Sequence, residues 1–402
     1  MKNLKKLSRE ELRKIFHKLS IAKCVFIVLI FLSQTLFSQK DFVIYANVSG
    51  AENGNKVYYY YYENATTTKT DSATINNGKF NIKGSISYPT LFTIYKKSDE
   101  DNGKKYYHFF FGEGNVNLDL NFSNFGLSSI NKNPYQEEFL RYNTAKNTIR
   151  KKLKENREQR QKYEDKKSSE NDKRTNSILA NFDNIESNLE LEWMKSDIDF
   201  AKNNPSSFVA LHYLFFNLGR SIGRKNFKEI QSAYNAMNID LRNSPLGIYI
   251  DEKLKALERS SIEAIAPDFA SEDFFGKKFS LSDFSNKVVL LDFWASWCVP
   301  CIRQHPFLHQ INNQYKDSGL VIISISKDSD ISAWKKSVEK ENMNWINTIV
   351  TEKSQTMIDA YAAQSIPVIL LIDKTGKIIG RWTGYDPQYN TEIQKMISEQ
   401  LR

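Results

Sequence analysis

Cysteine is scarce in this chain: three in 402 residues, at Cys24, Cys298 and Cys301. A framework of long-range disulfides is therefore excluded. If Cys24 is lost with a leader segment, the only remaining cysteine chemistry is local. Long apolar runs are missing too. Residues 24–32 form a run of nine, short of the roughly 20 that span a bilayer. The bulk of the chain also lacks a strong excess of positive charge. The whole sequence carries +9, but residues 1–38 hold 8 basic and 2 acidic side chains, which leaves 48 basic against 45 acidic, or +3. Nucleic-acid binding wants a basic surface, so no nucleic-acid partner is expected. No fixed-period repeat points to a solenoid.

What is present divides into four stretches. Residues 1–38 have a basic start, a short apolar centre and small residues near its end, the pattern of a secretory signal peptide. An uncleaved membrane anchor is the alternative reading. Residues 39–130 contain short β-rich runs at 41–45, 57–62, 78–82, 91–95, 106–111 and 115–120, punctuated by Asn-Gly pairs at 53, 77 and 102. These imply an all-β, sandwich-like domain. The tyrosine run at 58–62 reads as a strand with both faces partly covered. Residues 131–262 change to helical spacing, as in Phe139, Tyr142, Ala145, Ile149 and Leu153, with Ser244-Pro245 as a helix start. The 11 basic and 6 acidic residues between 150 and 174 are interleaved, as on a solvated helix face. Residues 263–402 alternate strands and helices, which makes an α/β domain. An N-terminal hairpin arm is expected at 276–281, buried strands at 288–293 and 320–325, and a helix over 298–315.

Cys298 and Cys301 stand in WCVPCIRQHP, where the strand hands over to the helix. A sulfur there meets unpaired backbone N–H groups and the positive end of a helix dipole. Both favour thiolate over thiol, and thiolate is the species that attacks disulfides. Cys301, one turn further in, is expected to be the less exposed. The two roles follow: Cys298 attacks and Cys301 resolves. A metal site is the competing reading, since Cys298, Cys301, His305 and His309 spell C-x2-C-x3-H-x3-H. Zinc fingers separate their two pairs by a longer loop, and Pro306 falls between these histidines, so no metal is expected. Soft thiolates leave Cu(I) handling open as an alternative use of the same cysteines.

The segment VVLLDFWASWCVPCIRQHP (288–306), with Ala-Pro-Asp-Phe at 266–269, Leu-Ser-Asp-Phe at 281–284 and Ile366-Pro367 downstream, resembles the thioredoxin superfamily, and within it the exported TlpA/ResA-like thiol-disulfide oxidoreductases. The N-terminal region resembles, more loosely, the β domain of unknown function that precedes such modules in Bacteroidetes-type proteins. The resemblance implies a thioredoxin-like α/β domain, a central sheet flanked by helices, over 263–402. It implies a redox-active disulfide between Cys298 and Cys301. It matches Ile366 and Pro367 to a cis-proline loop lying against that pair, Asp292 to a part-buried acid beneath the pair that burial would suit to take the proton of Cys301, and Trp294 and Trp297 to aromatics beside the motif. Val299 and Pro300 stand between the cysteines, where oxidants and isomerases of the superfamily place a histidine, so a reducing pair is expected. A peroxidase is excluded because its Pro and Thr/Ser positions are occupied here by Leu291 and Ala295.

The function expected is an exported, periplasmic enzyme that exchanges its dithiol with protein disulfides. It needs no organic cofactor and is recharged by an upstream donor protein, a membrane electron carrier being one candidate. Cytochrome c maturation is one role of the family. The alternative from another class is a partner-binding protein acting through residues 41–260, with the redox domain as a switch.

Overall fold

The computed structural model describes residues 39–96, 106–165, 173–350 and 355–402. The leader at 1–38 and the Asn-Gly pair at 102–103 lie outside them. The chain forms two compact units. Of the middle region, residues 131–148, 206–212 and 238–247 belong to the N-terminal unit, and residues 149–205, 213–237 and 248–262 to the C-terminal unit.

The N-terminal unit holds β1 (Lys40–Ser49), β2 (Lys56–Tyr62), β3 (Thr68–Thr74), β4 (Lys79–Ile86), β5 (Thr90–Tyr95), β6 (Tyr106–Phe111), β7 (Gly114–Asn121) and β8 (Ser129–Ile130). They make two four-stranded sheets, ordered β4-β1-β7-β8 and β3-β2-β5-β6. Alternation sends Phe42, Ile44 and Ala46 of β1, Tyr59 and Tyr61 of β2, and Phe92 and Ile94 of β5 into one shared core. The tyrosine strand behaves as expected: Tyr59 and Tyr61 are buried, while Tyr58, Tyr60 and Tyr62 are half-covered on the other face. Gly84 is required where it stands, because a Cβ there would lie 2.5 Å from the Tyr61 hydroxyl and 2.7 Å from the Phe42 ring. Strand β3 was not expected. Its sequence TKTDSAT has no apolar alternation, and it pairs only along the sheet edge with β2.

The middle helices are α1 (Pro134–Ala145), α2 (Asn147–Asp165), α3 (Lys173–Asn203), α4 (Phe208–Gly219), α5 (Ser221–Lys225), α6 (Phe227–Asn235), α7 (Ile239–Arg242) and α8 (Pro245–Arg259). Helix α8 starts as its sequence indicates, with the Ser244 hydroxyl accepting from the Gly247 N–H at 3.1 Å.

The C-terminal unit carries the hairpin arm β9 (Ala270–Glu272) and β10 (Lys278–Ser280), then β11 (Val288–Trp294), α9 (Val299–Ile302), α10 (His305–Tyr315), β12 (Leu320–Ser326), α11 (Ile331–Lys340), β13 (Ile346–Ile349), α12 (Gln355–Ala360), β14 (Val368–Ile372), β15 (Ile378–Thr383) and α13 (Pro387–Gln400). Five strands pair in the order β13-β12-β11-β14-β15; the β13–β12 and β12–β11 pairs are parallel, and the β11–β14 and β14–β15 pairs are antiparallel. This is the thioredoxin-like fold. Helices on both faces bury β11 from end to end. Val289, Leu291 and Phe293 enter one apolar layer, and Val288 and Leu290 enter the other. The expected helix over 298–315 is in fact two, α9 and α10, with a turn at Arg303–Gln304. Pro306 is the reason: it has no N–H to donate and its ring would strike the carbonyl of Ile302, so the helix restarts with proline in its first turn.

Candidate active site

The site is built at the carboxyl end of β11, the central strand. Its last residue, Trp294, is fully buried, and its carbonyl accepts the Lys327 N–H at 2.9 Å. The following turn is pinned by Asp328. One of its carboxylate oxygens accepts the Ser296 N–H at 2.9 Å and the other the Ser296 hydroxyl at 2.6 Å. The backbone is thereby held where Cys298 begins α9.

Cys298 is the cap residue of α9, with φ −88° and ψ 91°. Its sulfur accepts the backbone N–H of Cys301 at 3.3 Å. The two sulfurs are bonded at 2.04 Å, with Cα atoms 5.3 Å apart. Helix α9 is a single turn, so a long helix dipole is not what faces the sulfur. The group that would steady a Cys298 thiolate is the aimed N–H of Cys301. The exposure order matches expectation: Cys298 is 5 % exposed and Cys301 1 %.

Both cysteines sit in one apolar cluster with Trp294, Ala295, Trp334, Val338 and Met343, and Ile366 packs against it. The Ile366–Pro367 peptide is cis, and the Pro367 carbonyl accepts the Gly384 N–H at 2.9 Å. The structure therefore brings Cys298, Cys301, Trp294 and Ile366 together. Trp297 is different: it is 65 % exposed and belongs to the rim, as do Val299 and Pro300. A buried disulfide under an exposed apolar rim suits a visitor that brings apolar surface of its own.

Asp292 lies within β11 and is buried. Burial pushes its carboxyl up to about 7, against a smaller downward pull from the Ser324 hydroxyl, which donates to it at 2.8 Å. The same hydroxyl accepts the Trp345 indole N–H at 2.9 Å. Trp345 also packs against the cysteine cluster, so a polar chain of Asp292, Ser324 and Trp345 runs along its edge. This carboxyl can hold or release a proton near neutral pH.

His305 and His309 do not converge on the cysteines. The His305 ring is buried edge-on against Trp294, with centroids 4.9 Å apart, and burial lowers its basicity. His309 meets the Glu341 carbonyl at 2.8 Å. Sequence reasoning missed Trp334, Ser324, Trp345 and Asp328. They come from β12 and the elements that follow it, and nothing local in their sequence marks them.

The redoxin family model matches residues 263–397, and a model described as a domain of unknown function matches residues 42–139. The thiol-disulfide oxidoreductase ResA of Bacillus thuringiensis is 33 % identical over 127 residues, which cover 32 % of this chain and 72 % of that protein. The ResA of Bacillus cereus is 32 % identical over 141 residues, covering 35 % and 80 %. Among solved structures, the thioredoxin domain of a thiol-disulfide oxidoreductase from Bacteroides vulgatus is 31 % identical with a TM-score of 0.32, covering 34 % of this chain and 98 % of that one.

Proposed function

Given that this chain belongs to the ResA-like thiol-disulfide oxidoreductases of the redoxin family, we propose that it works as a reductase and that Cys298, Cys301 and Asp292 divide the chemistry. The Cys298 thiolate attacks one sulfur of a client disulfide. A mixed disulfide forms, and the client's other sulfur leaves as a thiolate and takes a proton from solvent. Asp292 accepts the proton of Cys301. The Cys301 thiolate then attacks the Cys298 sulfur and expels the client's second thiolate. The client gains two electrons, and the Cys298–Cys301 bond closes. An upstream dithiol protein reopens it by the same exchange in reverse.

The observation that carries the assignment is the asymmetry of the pair. The Cys298 sulfur caps a helical turn and takes the Cys301 N–H, while Cys301 is the more deeply buried. The reducing direction is supported by the uncharged Val299 and Pro300 between them, since neither stabilises a thiolate. The midpoint is expected between about −270 mV, the thioredoxin level, and about −180 mV, the isomerase level. Export to the periplasm is supported by the composition of residues 1–38.

The test is a Cys301→Ser trap. Without its resolving thiol, the protein should accumulate mixed disulfides through Cys298 that dithiothreitol releases. A Cys298→Ser variant should accumulate none. Equal trapping by the two variants would refute the assignment of roles, and a midpoint above about −180 mV would refute the direction.

A further inference from the structure

We propose that the middle helices act on the reaction: Lys253 of α8 and Asp359 of α12 are positioning residues for the loop that carries Ile366–Pro367. The proposal rests on the reading of the cysteine pair given above and adds to it a part played by residues between the two matched stretches.

The argument follows one chain of contacts, all within the C-terminal unit. The Lys253 ammonium lies 3.2 Å from Asp359 Oδ1 and is itself largely covered, at 19 % exposure. The same oxygen accepts the Gln364 side-chain N–H at 2.9 Å. The Gln364 carbonyl in turn accepts from the Lys327 ammonium. Lys327 is the residue whose backbone N–H bonds the Trp294 carbonyl, at the strand end that leads to Cys298. Gln364 is two residues before Ile366. The loop against the disulfide and the turn that presents the disulfide are thus tied to one another, and Asp359 ties both to α8.

Neighbouring contacts fix the same segment. Arg381 donates to the Tyr361 and Ala362 carbonyls at 3.0 and 3.3 Å and, with its other nitrogen, to the Ser260 hydroxyl at 3.2 Å, just past the end of α8. Arg224 of α5 reaches the Ser365 hydroxyl at 3.4 Å. Residues 359–365 are therefore held by side chains from α5, α8, the β12–α11 connection and β15. A lone, partly exposed ion pair does little. This one acts because Asp359 Oδ1 is shared, so losing Lys253 also loosens the Gln364 side chain and the turn it braces.

Ile366 packs against the disulfide a client must reach, so the client meets this loop and its shape enters binding. Loosening it should cost binding before it costs chemistry. Two measurements on the full-length protein test this. In the first, Lys253→Met should raise KM for a disulfide-containing peptide about threefold to fivefold, the size such a pair supports, with kcat changing less than about twofold. In the second, amide hydrogen exchange over residues 361–368 should quicken by a similar factor. Lys253→Arg should keep wild-type values in both. Unchanged exchange in Lys253→Met overturns the proposal, and so does faster exchange with unchanged KM. A wild-type chain that reduces no peptide disulfide sinks the functional reading itself and this proposal with it. An active wild type whose KM ignores Lys253 sinks the proposal alone.

Discussion

Replacing Asp292 with asparagine isolates the cost of a charge inside the β11 layer. The carboxyl is displaced from 3.8 to about 7 by burial. Because the folded state holds the proton more tightly, the native state is favoured at low pH, and that advantage is lost as pH rises through about 7. The whole displacement corresponds to about 4 kcal/mol at 1.36 kcal/mol per unit. About 3 kcal/mol of it falls between about pH 5 and about pH 8. Asparagine cannot ionise, so Asp292→Asn should lose none of this over the same range. The assay is urea unfolding of the oxidised protein, in which the disulfide-bonded cysteines do not titrate. Tryptophan fluorescence suits it, since Trp294, Trp297, Trp334, Trp345 and Trp382 supply five of the six tryptophans and all lie in the redoxin-matched stretch. Wild type should fall below the variant toward alkaline pH, the two curves diverging by about 3 kcal/mol whatever slope the groups common to both give them. Parallel curves across that range would show that Asp292 is solvated, and its role as proton acceptor would fall with the buried charge. In the enzyme assay the same variant should slow the resolving step by about 10²-fold to 10⁴-fold, the range of general acid–base catalysis.

Ser324→Ala removes the hydrogen bond that holds the Asp292 carboxyl down, so the pH at which wild-type stability falls should move upward in the same urea titration. Pro300→His places an imidazole beside the Cys298 thiolate. It should raise the midpoint in a glutathione titration by about 30 mV or more, a tenfold change or more in the exchange constant, and a fall would count against the argument for a reducing pair. Trp334→Ala empties the wall behind the cysteines and should cost about 3 to 5 kcal/mol, read from the same tryptophan unfolding curve. Phe92→Ala should cost a similar amount, because Phe92 stacks on Tyr59, Tyr61 and Phe109 at 5.2 to 5.3 Å in the centre of the β-sandwich. Its loss should show as tyrosine-region circular dichroism melting at lower temperature.

The central strands β11, β12 and β14 were legible because each is a short, largely apolar run between turn residues, and runs such as 288–293 and 366–372 leave no helical alternative of useful length. The sandwich strands were legible as short β-rich runs between turn residues, the tyrosine run among them. Strand β3 was not, because a largely exposed edge strand needs no pattern to form; β2 supplies its hydrogen bonds. The helix over 298–315 was overdrawn because apolar spacing continues across Pro306, while the missing N–H and the ring clash do not show in periodicity.

The sequence by itself determined that the one cysteine pair of the bulk chain is local, sits at a strand-to-helix junction and carries no charged residue between its members, since these facts depend only on spacing and residue type. It determined Asp292 as a carboxyl inside an apolar strand for the same reason. Only the tertiary structure decided what surrounds them. Trp334, Ser324, Trp345 and Asp328 reach the site from β12 and beyond, and Lys253 reaches Asp359 of α12 from a helix more than a hundred residues earlier in the chain. Sheet pairing and helix packing set those neighbours, and proximity of that kind leaves no mark on local sequence.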